Sequence, residues 1–243
     1  RSSSAASDVY KRQAIPNRNI KCNLKAYQFA NFISVASQHV KESFLLHQYP
    51  ENRIFVNPYG VDLSMFKPLP NIPKKYDVIM VGGWGYEKGC DLIVEAIRKT
   101  NYSFIHVGSI KDVDFPQEKN FTHIDPVDQS KLIEYYNQAK VFILPSRQDG
   151  FGMVLSQALA CNLPIIGSNN CGAPDLKKMV ELPEYITIIK DYTADAIVTA
   201  IHTAIKNYEQ LGERIYAGNA IENLTWEAYG KRYANFLHKI IKQ

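Results

Sequence analysis

The sequence predicts an α/β protein with a doubly wound parallel sheet, and two observations carry this prediction. From about residue 76 onward, six short apolar runs alternate with helical patterns. Most of these runs are continuously apolar rather than alternating, which is typical of strands covered on both faces. Strands that alternate with helices of this length favour a parallel sheet with crossover helices.

The strands and helices can be placed in order along the chain. Strands are predicted over residues 76–83, 102–109, 120–127, 140–146, 163–168 and 185–189, and helices between them over residues 89–99, 128–139, 152–161 and 173–180. The first helix has a one-sided apolar stripe that includes Leu92, Ile93 and Ala96. Asp128 is placed to cap the second helix, and two further helical patterns close the chain.

The two ends of the chain pattern differently from this central part. Residues 1–13 are Ser-rich, do not begin with Met and lack the apolar stretch of a signal peptide, so we expect a disordered or artefactual segment. Residues 25–49 predict a helix, a short strand and a second helix. The last helix has an apolar face that packs on its own domain or crosses to a preceding one, with Lys231 and Arg232 outside that face. The face is formed by Trp226, Tyr229, Tyr233, Leu237 and Ile240.

Composition excludes several classes of protein. The 243 residues are 46% apolar and 21% charged, as in an ordinary globular protein, and no apolar run reaches the ~18 residues of a membrane span. A net charge of +4 is too small and too dispersed to indicate nucleic-acid binding. The four cysteines form no CxxC pair and have no metal-ligand spacing, so we expect buried, reduced thiols in a cytosolic protein. They are Cys22, Cys90, Cys161 and Cys171.

Two unusual loops fall at the predicted ligand crevice. In an open parallel sheet of strand order 3-2-1-4-5-6, ligands bind outside the carboxyl ends of strands 1 and 4, where the winding reverses. The loop "VGGWGYEKG" follows the first predicted strand, and "PSRQDGFG" follows the fourth. Both loops are therefore expected to border one crevice.

The first loop has the groups that suit an anionic diphosphate. Gly82 and Gly83 allow close approach of a ligand, Gly85 is expected to permit a tight turn, and Lys88 lies at the start of the next helix. The loop is not a Walker A motif, and its Gly-x-Gly is not completed by a third glycine. The second strand also ends without the acidic residue of NAD-binding domains. A glycine turn with a solvated lysine is the alternative interpretation.

The second loop places backbone amides at another helix start. These amides belong to Gly150, Phe151, Gly152 and Met153. Asp149 precedes them, and Gln157 lies eight positions further on, about 80° beyond two full helical turns. Both side chains are expected to border one groove, with Asp149 at a sugar and Gln157 at a ribose. The alternative makes Asp149 a helix cap and Gln157 a surface residue.

A metal-binding hypothesis starts from a second acidic motif. Asp112 and Asp114 form a DxD pair, and such a pair holds a divalent metal against a diphosphate in some proteins. Two acids at this spacing are common by chance, and these two follow the second strand, away from the crevice. We therefore expect no metal in the site.

The ordered motifs resemble glycosyltransferase family 4. "RIFVNPYGVDLSMFKP" is similar to the linker of that family, and "VGGWGYEKGCDLIVEAI" is similar to its "vGrl…KGvd.li.A" segment. The central stretch is similar to "PS..EGfG.vllEAlA.G.PVi.t", so the resemblance covers roughly residues 53–243. It implies the donor-binding, Rossmann-like half of a retaining GT-B glycosyltransferase that uses a nucleotide-diphosphate sugar.

The resemblance also implies a division of the chain. Residues 14–55 resemble the end of an N-terminal, acceptor-binding domain with its linker, and most of that domain is expected to be missing. Residues 56–222 form the nucleotide-sugar-binding domain, and residues 223–243 form the C-terminal amphipathic helix. This chain alone is then expected to bind nucleotide but to transfer sugar poorly.

The family's site residues carry over with three departures. Its pair of glutamates falls on Asp149 and Gln157, and its diphosphate-binding arginine falls on Gly83, whereas its lysine is retained as Lys88. The loop that frames the base in the family suggests Val127, with Lys131 close behind. The replacements imply either a shifted donor preference or weakened catalysis.

The resemblance finally implies a function and partners. The expected co-substrate is a nucleotide-diphosphate sugar, with no other cofactor and no metal. The expected acceptor is a glycan or a lipid-linked glycoconjugate, held by the missing domain, in a cytoplasmic enzyme of polysaccharide assembly that associates peripherally with the inner face of the membrane. A non-catalytic nucleotide-sugar-binding module of the same descent is the alternative.

Overall fold

The computed structural model describes residues 17–211 and 222–242. Its helices, in chain order, are α1 (Asn17–Phe29), α2 (Gln38–Leu46), α3 (Cys90–Lys99), α4 (Gln129–Asn137), α5 (Met153–Ala160), α6 (Ala173–Met179), α7 (Ala194–Leu211) and α8 (Trp226–Ile241). Its strands are β1 (Ile33–Val35), β2 (Ile54–Val56), β3 (Tyr76–Val81), β4 (Phe104–Val107), β5 (Phe121–Ile124), β6 (Ala139–Leu144), β7 (Ile165–Ser168) and β8 (Ile186–Ile189). The predicted segment 1–13 lies outside the described residues.

The main sheet has six parallel strands in the order β5-β4-β3-β6-β7-β8. Counted from β3, this is the order 3-2-1-4-5-6, so the predicted doubly wound fold is confirmed. The winding reverses between β3 and β6, which pair directly, with Val78 opposite Val141. The crevice expected at a reversal therefore lies outside the carboxyl ends of these two strands.

The continuous apolar runs form the core of this sheet. The last four residues of β3 are buried, and so is every residue of β4 and β7. In β6, all residues except Lys140 are buried. The apolar stripe of α3 is buried as well, and α7 packs against both α3 and β8. Asp128 occupies the N-cap position of α4, as predicted, although its side chain makes no capping hydrogen bond.

A second, smaller unit precedes the main sheet. The predicted helix, strand and helix are α1, β1 and α2, and β1 pairs in parallel with β2, which the sequence analysis did not predict. Ser37 caps α2, because its hydroxyl accepts a hydrogen bond from the Val40 amide. The boundary predicted at residue 55 would fall within β2, and the domain division stays a prediction.

The last helix crosses from the main sheet to this smaller unit. Phe236 on α8 stacks on Phe55 of β2, with ring centroids 4.0 Å apart, and also contacts Phe32. Arg232, predicted to lie outside the apolar face, has its own partners: its guanidinium donates to the Asn57 side chain at 2.7 Å and to the Pro58 carbonyl at 2.8 Å. The aromatic face of α8 therefore packs on the unit that precedes the sheet.

The cysteines are free thiols in two different environments. Cys90, Cys161 and Cys171 are buried as expected, and burial raises the pKa of Cys90 and of Cys161 to about 12. Cys22 is exposed, because it lies on the solvent-facing surface of α1, so the prediction was wrong for this residue. Across residues 17–211 and 222–242, no helix combines the length and the apolar character that crossing a bilayer demands.

Candidate functional site

The two predicted loops meet at the carboxyl ends of β3 and β6. Residues 82–89 follow β3, and residues 145–152 follow β6. The Arg147 amide donates to the Glu87 carbonyl at 2.8 Å, and the Arg147 guanidinium binds both carboxylate oxygens of Asp91 at 2.6 and 2.8 Å. The same guanidinium lies 3.7 Å from the centroid of the Tyr86 ring. These contacts join the two loops into one surface.

The first loop has positive φ angles at Gly82 and Gly89 but not at Gly85. Gly82 and Gly89 have φ angles of 128° and 75°, which favour glycine, whereas Gly85 is extended with φ −156°. A tight turn does begin at Gly85, as predicted, because its carbonyl accepts a hydrogen bond from the Lys88 amide at 3.0 Å, but its backbone is extended rather than left-handed. A Cβ atom on Gly85 would lie 2.6 Å from Oδ1 of Asp112, so this carboxylate would have to shift.

The first loop is fixed to the segment that follows β4. Trp84 is fully buried; its amide donates to the Ser109 carbonyl at 2.7 Å, and its carbonyl accepts from the Lys111 amide. Asp112, one half of the DxD pair, accepts a hydrogen bond from the Tyr86 amide at 2.8 Å. This carboxylate thus holds the loop in shape. The described residues contain no group of three or more His, Cys, Asp or Glu side chains placed to hold a metal.

The second loop leads into the N-terminus of α5. Of the four amides expected to be free, the Phe151 amide donates to Oδ1 of Asp149 at 3.2 Å. The amides of Gly150, Gly152 and Met153 have no acceptor within the described part of the chain. Three donors and the positive end of the helix dipole are thus available to an anion.

The structure brings together the two charged residues predicted for the site. Nζ of Lys88 lies 2.6 Å from Oδ2 of Asp149, so the first loop and the second loop meet in an ion pair. Both side chains are largely buried, with 25% of Lys88 and 16% of Asp149 exposed. The pair is therefore screened by solvent much less than a surface pair.

Gln157 is more buried than a groove residue or a surface residue, the two interpretations that the sequence left open. It is buried, and its Oε1 accepts a hydrogen bond from the Tyr136 hydroxyl at 3.0 Å. Asp149 lines a cleft of about 470 Å³ that extends to the smaller unit, whereas Gln157 lines a separate cavity of about 280 Å³. Met153 borders both spaces, so the two side chains flank one helix end but not one continuous groove.

The two residues suggested to frame the base of the nucleotide lie around the start of α4. Val127 follows β5 and packs against the main core, and Lys131 is exposed in the first turn of α4. Gln129, between them, lines the same cavity as Gln157. The cavity thus connects the start of α4 with α5.

The sequence analysis missed two residues that border the site. Lys111 covers Gly83, because a Cβ atom on Gly83 would lie 2.5 Å from Cε and 3.2 Å from Nζ of Lys111. The Ser37 hydroxyl donates to the Gly150 carbonyl at 2.7 Å, which ties the smaller unit to the second loop. The signal for Lys111 was available, since a lysine that follows the second strand of the predicted order must lie beside the first loop.

The match to a family model shows the protein family of this chain. The model described as "Glycosyl transferases group 1" matches residues 64–220, which include both loops. The chain belongs to the group 1 glycosyl transferases. The curated relatives agree with this assignment. A probable sucrose-phosphate synthase of Thermosipho melanesiensis is 26% identical over 242 residues, which cover 88% of this chain and 56% of that protein.

A second relative of this glycosyltransferase chain has a sugar nucleotide in its name. It is the GDP-mannose-dependent alpha-(1-6)-phosphatidylinositol monomannoside mannosyltransferase of Mycolicibacterium smegmatis, 23% identical over 242 residues, which cover 86% of this chain and 62% of that protein. The chain therefore spans 56% and 62% of the lengths of these two relatives.

Solved structures place the glycosyltransferase chain in the GT-B fold. Sucrose-phosphate synthase from Thermosynechococcus elongatus matches with a TM-score of 0.68 at 19% identity, covering 98% of this chain and 66% of that one. Anabaena HepE in complex with UDP matches with a TM-score of 0.75 at 15% identity, covering 94% and 69%. The expected Rossmann-like half of a GT-B protein is confirmed by these likenesses.

Proposed function

We propose that this chain carries the donor site of a retaining glycosyltransferase of family 4, which moves a sugar from a nucleotide diphosphate to a glycan or glycoconjugate acceptor. The Lys88–Asp149 ion pair carries the proposal, because it joins the two loops beside three free amides at the reversal point of the sheet. The UDP and UDP-glucose complexes of Anabaena HepE support a nucleotide-sugar ligand.

The proposed diphosphate site combines backbone donors with two lysines. Gly82 and Gly150 leave open space, since a Cβ atom on either would meet no atom within 4 Å. Lys88 lies on the first loop, and Lys111, on the segment that follows β4, covers Gly83 next to Gly82. We infer that Lys111 supplies the positive charge that family members have at the position of Gly83. A diphosphate here would meet two ammonium groups and the N-terminus of α5.

We assign the donor sugar to Asp149. Its carboxylate bonds to Lys88 and to the Phe151 amide, which fixes its orientation at the edge of the cleft. A fixed carboxylate accepts hydrogen bonds from sugar hydroxyls and stabilises positive charge that develops on the sugar ring in the transition state. Gln157 and Val127, with Lys131, are proposed to frame the ribose and the base around the smaller cavity.

The leaving group determines the proposed chemistry. When the bond from the anomeric carbon to the diphosphate breaks, negative charge develops on the departing nucleoside diphosphate. Lys88, Lys111 and the helix-terminal amides would stabilise that charge without a metal. The acceptor hydroxyl then attacks the same face of the sugar, which gives retention, and its proton passes to the leaving phosphate. We propose a cytoplasmic enzyme that reaches lipid-linked acceptors at the inner face of the membrane.

The proposed independence from metal can be tested directly. Transfer by the full-length enzyme is expected to continue in excess EDTA, because protein groups neutralise the diphosphate. Loss of the rate in EDTA, with recovery on addition of Mg²⁺ or Mn²⁺, would contradict this part of the proposal.

The first experiment measures binding of nucleotides to this chain. Its thermal midpoint is recorded with UDP, GDP, ADP and NAD; a ligand at about 100 times its Kd stabilises by ~2.7 kcal/mol, and each kcal/mol raises the midpoint by ~2–4 °C. A shift with one nucleoside diphosphate is expected, with no shift for NAD. The shift should be lost in Lys88→Ala.

The chain offers a matched control for this variant. Lys140 and Asp77 form an ion pair of 2.7 Å with 32% and 20% of their side chains exposed, close to the values for Lys88 and Asp149. They lie at the amino ends of β6 and β3, at the opposite edge of the sheet. Lys140→Ala should keep the nucleotide-induced shift. Equal shifts in both variants would remove Lys88 from the site.

The non-catalytic binding module is the second candidate, because Asp149 and Gln157 replace the family's two glutamates. Turnover of the donor separates the two. In the full-length enzyme, Asp149→Ala is expected to lower transfer at least 100-fold, with Asp77→Ala as the matched control. If the unaltered protein binds nucleotide sugar but never releases nucleoside diphosphate, the module is favoured.

The relatives' greater length leads us to expect weak transfer by this chain alone, which a robust rate would contradict.

A further inference from the structure

A buried histidine pair lies directly beneath the first loop. His106 on β4 is fully buried, and its Nε2 lies 2.8 Å from the Gly82 carbonyl oxygen. Its Nδ1 lies 3.0 Å from Nδ1 of His123 on β5, and Nε2 of His123 faces Asp125 at 3.3 Å. The loop is thus connected to β5 through two imidazole rings.

The direction of these hydrogen bonds follows from the acceptor at one end. A carbonyl oxygen only accepts, so His106 must carry its proton on Nε2 and donate it to Gly82. Burial lowers the pKa of His106 to about 4, which keeps the ring neutral and leaves Nδ1 as an acceptor. His123 then donates from its Nδ1. One arrangement of protons satisfies both contacts.

This bond fixes the direction of the next amide group. In a planar trans peptide, the carbonyl and the following N–H point in opposite directions, and no cis peptide occurs in the described chain. The Gly82 carbonyl points toward His106, and the Gly82 amide donates to Val107, so both groups face the β4 side. The Gly83 N–H therefore points away from β4, to the side where β6 and the crevice lie.

Within the described residues, His106 supplies the one hydrogen bond to the Gly82 carbonyl, between backbone bonds from the Gly82 amide to Val107 and from the Trp84 amide to Ser109. Gly82 has a φ angle of 128°, outside the range of regular strand backbone, although its amide still donates to the Val107 carbonyl at 2.9 Å. Within residues 17–211 and 222–242, the Gly83 N–H has no hydrogen-bond acceptor. A free amide beside an open space is suited to a phosphate oxygen.

We propose that His106 is a positioning residue, which holds the Gly82–Gly83 peptide so that the Gly83 N–H donates to a phosphate of the bound nucleotide. The proposal rests on the donor site proposed above. His123 supports it by holding the tautomer of His106. Neither histidine touches the ligand.

The test compares two replacements of His106. His106→Gln keeps an N–H near the position of Nε2, whereas His106→Leu removes the donor and leaves the Gly82 carbonyl unpaired. Binding is measured by calorimetry for UDP, GDP and ADP and for uridine, guanosine and adenosine. His106→Leu is expected to weaken the nucleoside diphosphate about tenfold and to leave its nucleoside unchanged, and His106→Gln should restore most of the loss.

A stability control separates positioning from packing. Ile105 is the buried neighbour of His106 on β4, and Ile105→Val destabilises the same strand without touching Gly82. This variant should bind the diphosphate as the unaltered chain does. Equal weakening by Ile105→Val, or weakening of nucleoside and diphosphate to the same degree, would overturn the proposal.

Nuclear magnetic resonance on the unaltered chain keeps the test independent of the folding of the variants. The ¹⁵N spectrum should show His106 protonated at Nε2 alone, and the Gly83 amide proton should move downfield when the nucleoside diphosphate binds. A proton on Nδ1 of His106, or no change at Gly83 on binding, would contradict the proposal. If no nucleoside diphosphate binds the unaltered chain, the donor site fails first and the role of His106 fails with it.

Discussion

The two loops that border the crevice are both rich in glycine, but for different physical reasons. In the first loop, a Cβ atom on Gly83, Gly85 or Gly89 would collide with Lys111, Asp112 or the Pro145 carbonyl. In the second loop, a Cβ atom on Gly150 would meet nothing within 4 Å.

This difference teaches how the site is built. The first loop is held by close packing against the segment after β4, so it forms a rigid wall. The second loop is tied down at Gly152 and at the Gly150 carbonyl but leaves space at the Gly150 α-carbon. Apart from the space at the Gly82 α-carbon, the first loop is closed by protein packing, whereas the second loop leaves space for a ligand at Gly150.

The largest effect is expected from Gly89→Ala, which tests whether the first loop is rigidly packed. Gly89 has a φ angle of 75°, and its Cβ would lie 2.3 Å from the Pro145 carbonyl oxygen. Backbone strain and overpacking together should lower the free energy of unfolding by about 3–5 kcal/mol. Urea denaturation measures this change. A loss below about 1 kcal/mol would mean that the first loop is not rigidly packed.

Acid should weaken the anchor of the first loop. The pKa of His106 is about 4 in the folded chain, because the ring is buried, and 6.5 in the unfolded chain. Between pH 6.5 and pH 4 the unfolded chain therefore binds a proton that the folded chain does not. Stability contributed by this group is therefore lost between pH 6.5 and 4, by about 3 kcal/mol in all.

The measurement for this prediction is urea denaturation as a function of pH. His106→Gln cannot take up the proton, so its stability should fall less steeply than that of the unaltered chain across the same window. His123 and Asp125 are present in both proteins, so the difference between the two profiles reports the imidazole of His106 together with its contact to His123. Parallel pH profiles would contradict the prediction.

Lys111→Ala tests whether the lysine that covers the first loop contributes to binding of the ligand. The side chain of Lys111 is exposed and lies over Gly83, so its removal should cost little folding stability. If it contacts the diphosphate, affinity for the nucleoside diphosphate should fall about tenfold, as measured by calorimetry. Lys119→Ala, another exposed lysine further along the same segment, should leave the affinity unchanged.

The smallest effect on stability is expected from Gly150→Ala. Its φ angle is not positive and its α-carbon faces open space, so alanine should stabilise the fold by about 0.4–1 kcal/mol through the unfolded chain. The same methyl group would occupy the space proposed for the phosphates and should weaken nucleotide binding. Destabilisation by more than 1 kcal/mol would show that the second loop is packed like the first.

The sequence determined the main sheet and the place of the site. The six strands and the positions of both loops followed from runs of apolar residues and from glycine patterns, which are local signals, whereas the strand order was taken as the common order of a doubly wound sheet. These signals were reliable because strands buried on both faces must be continuously apolar. They predicted Lys88, Asp149 and the start of α5 as neighbours of one crevice, and the structure brings those residues together.

Only the tertiary structure decided which groups contact one another. Lys88 and Asp149 are 61 positions apart, and His106 and Gly82 are 24 apart, so no local pattern reveals either bond. The same holds for the pairing of β1 with β2, for the role of Asp112 and for the close approach of its carboxylate to Gly85. Apolar periodicity specifies which face of an element is buried, whereas a hydrogen bond depends on the positions of two atoms to within a fraction of an ångström, and those positions exist only once the layers have packed.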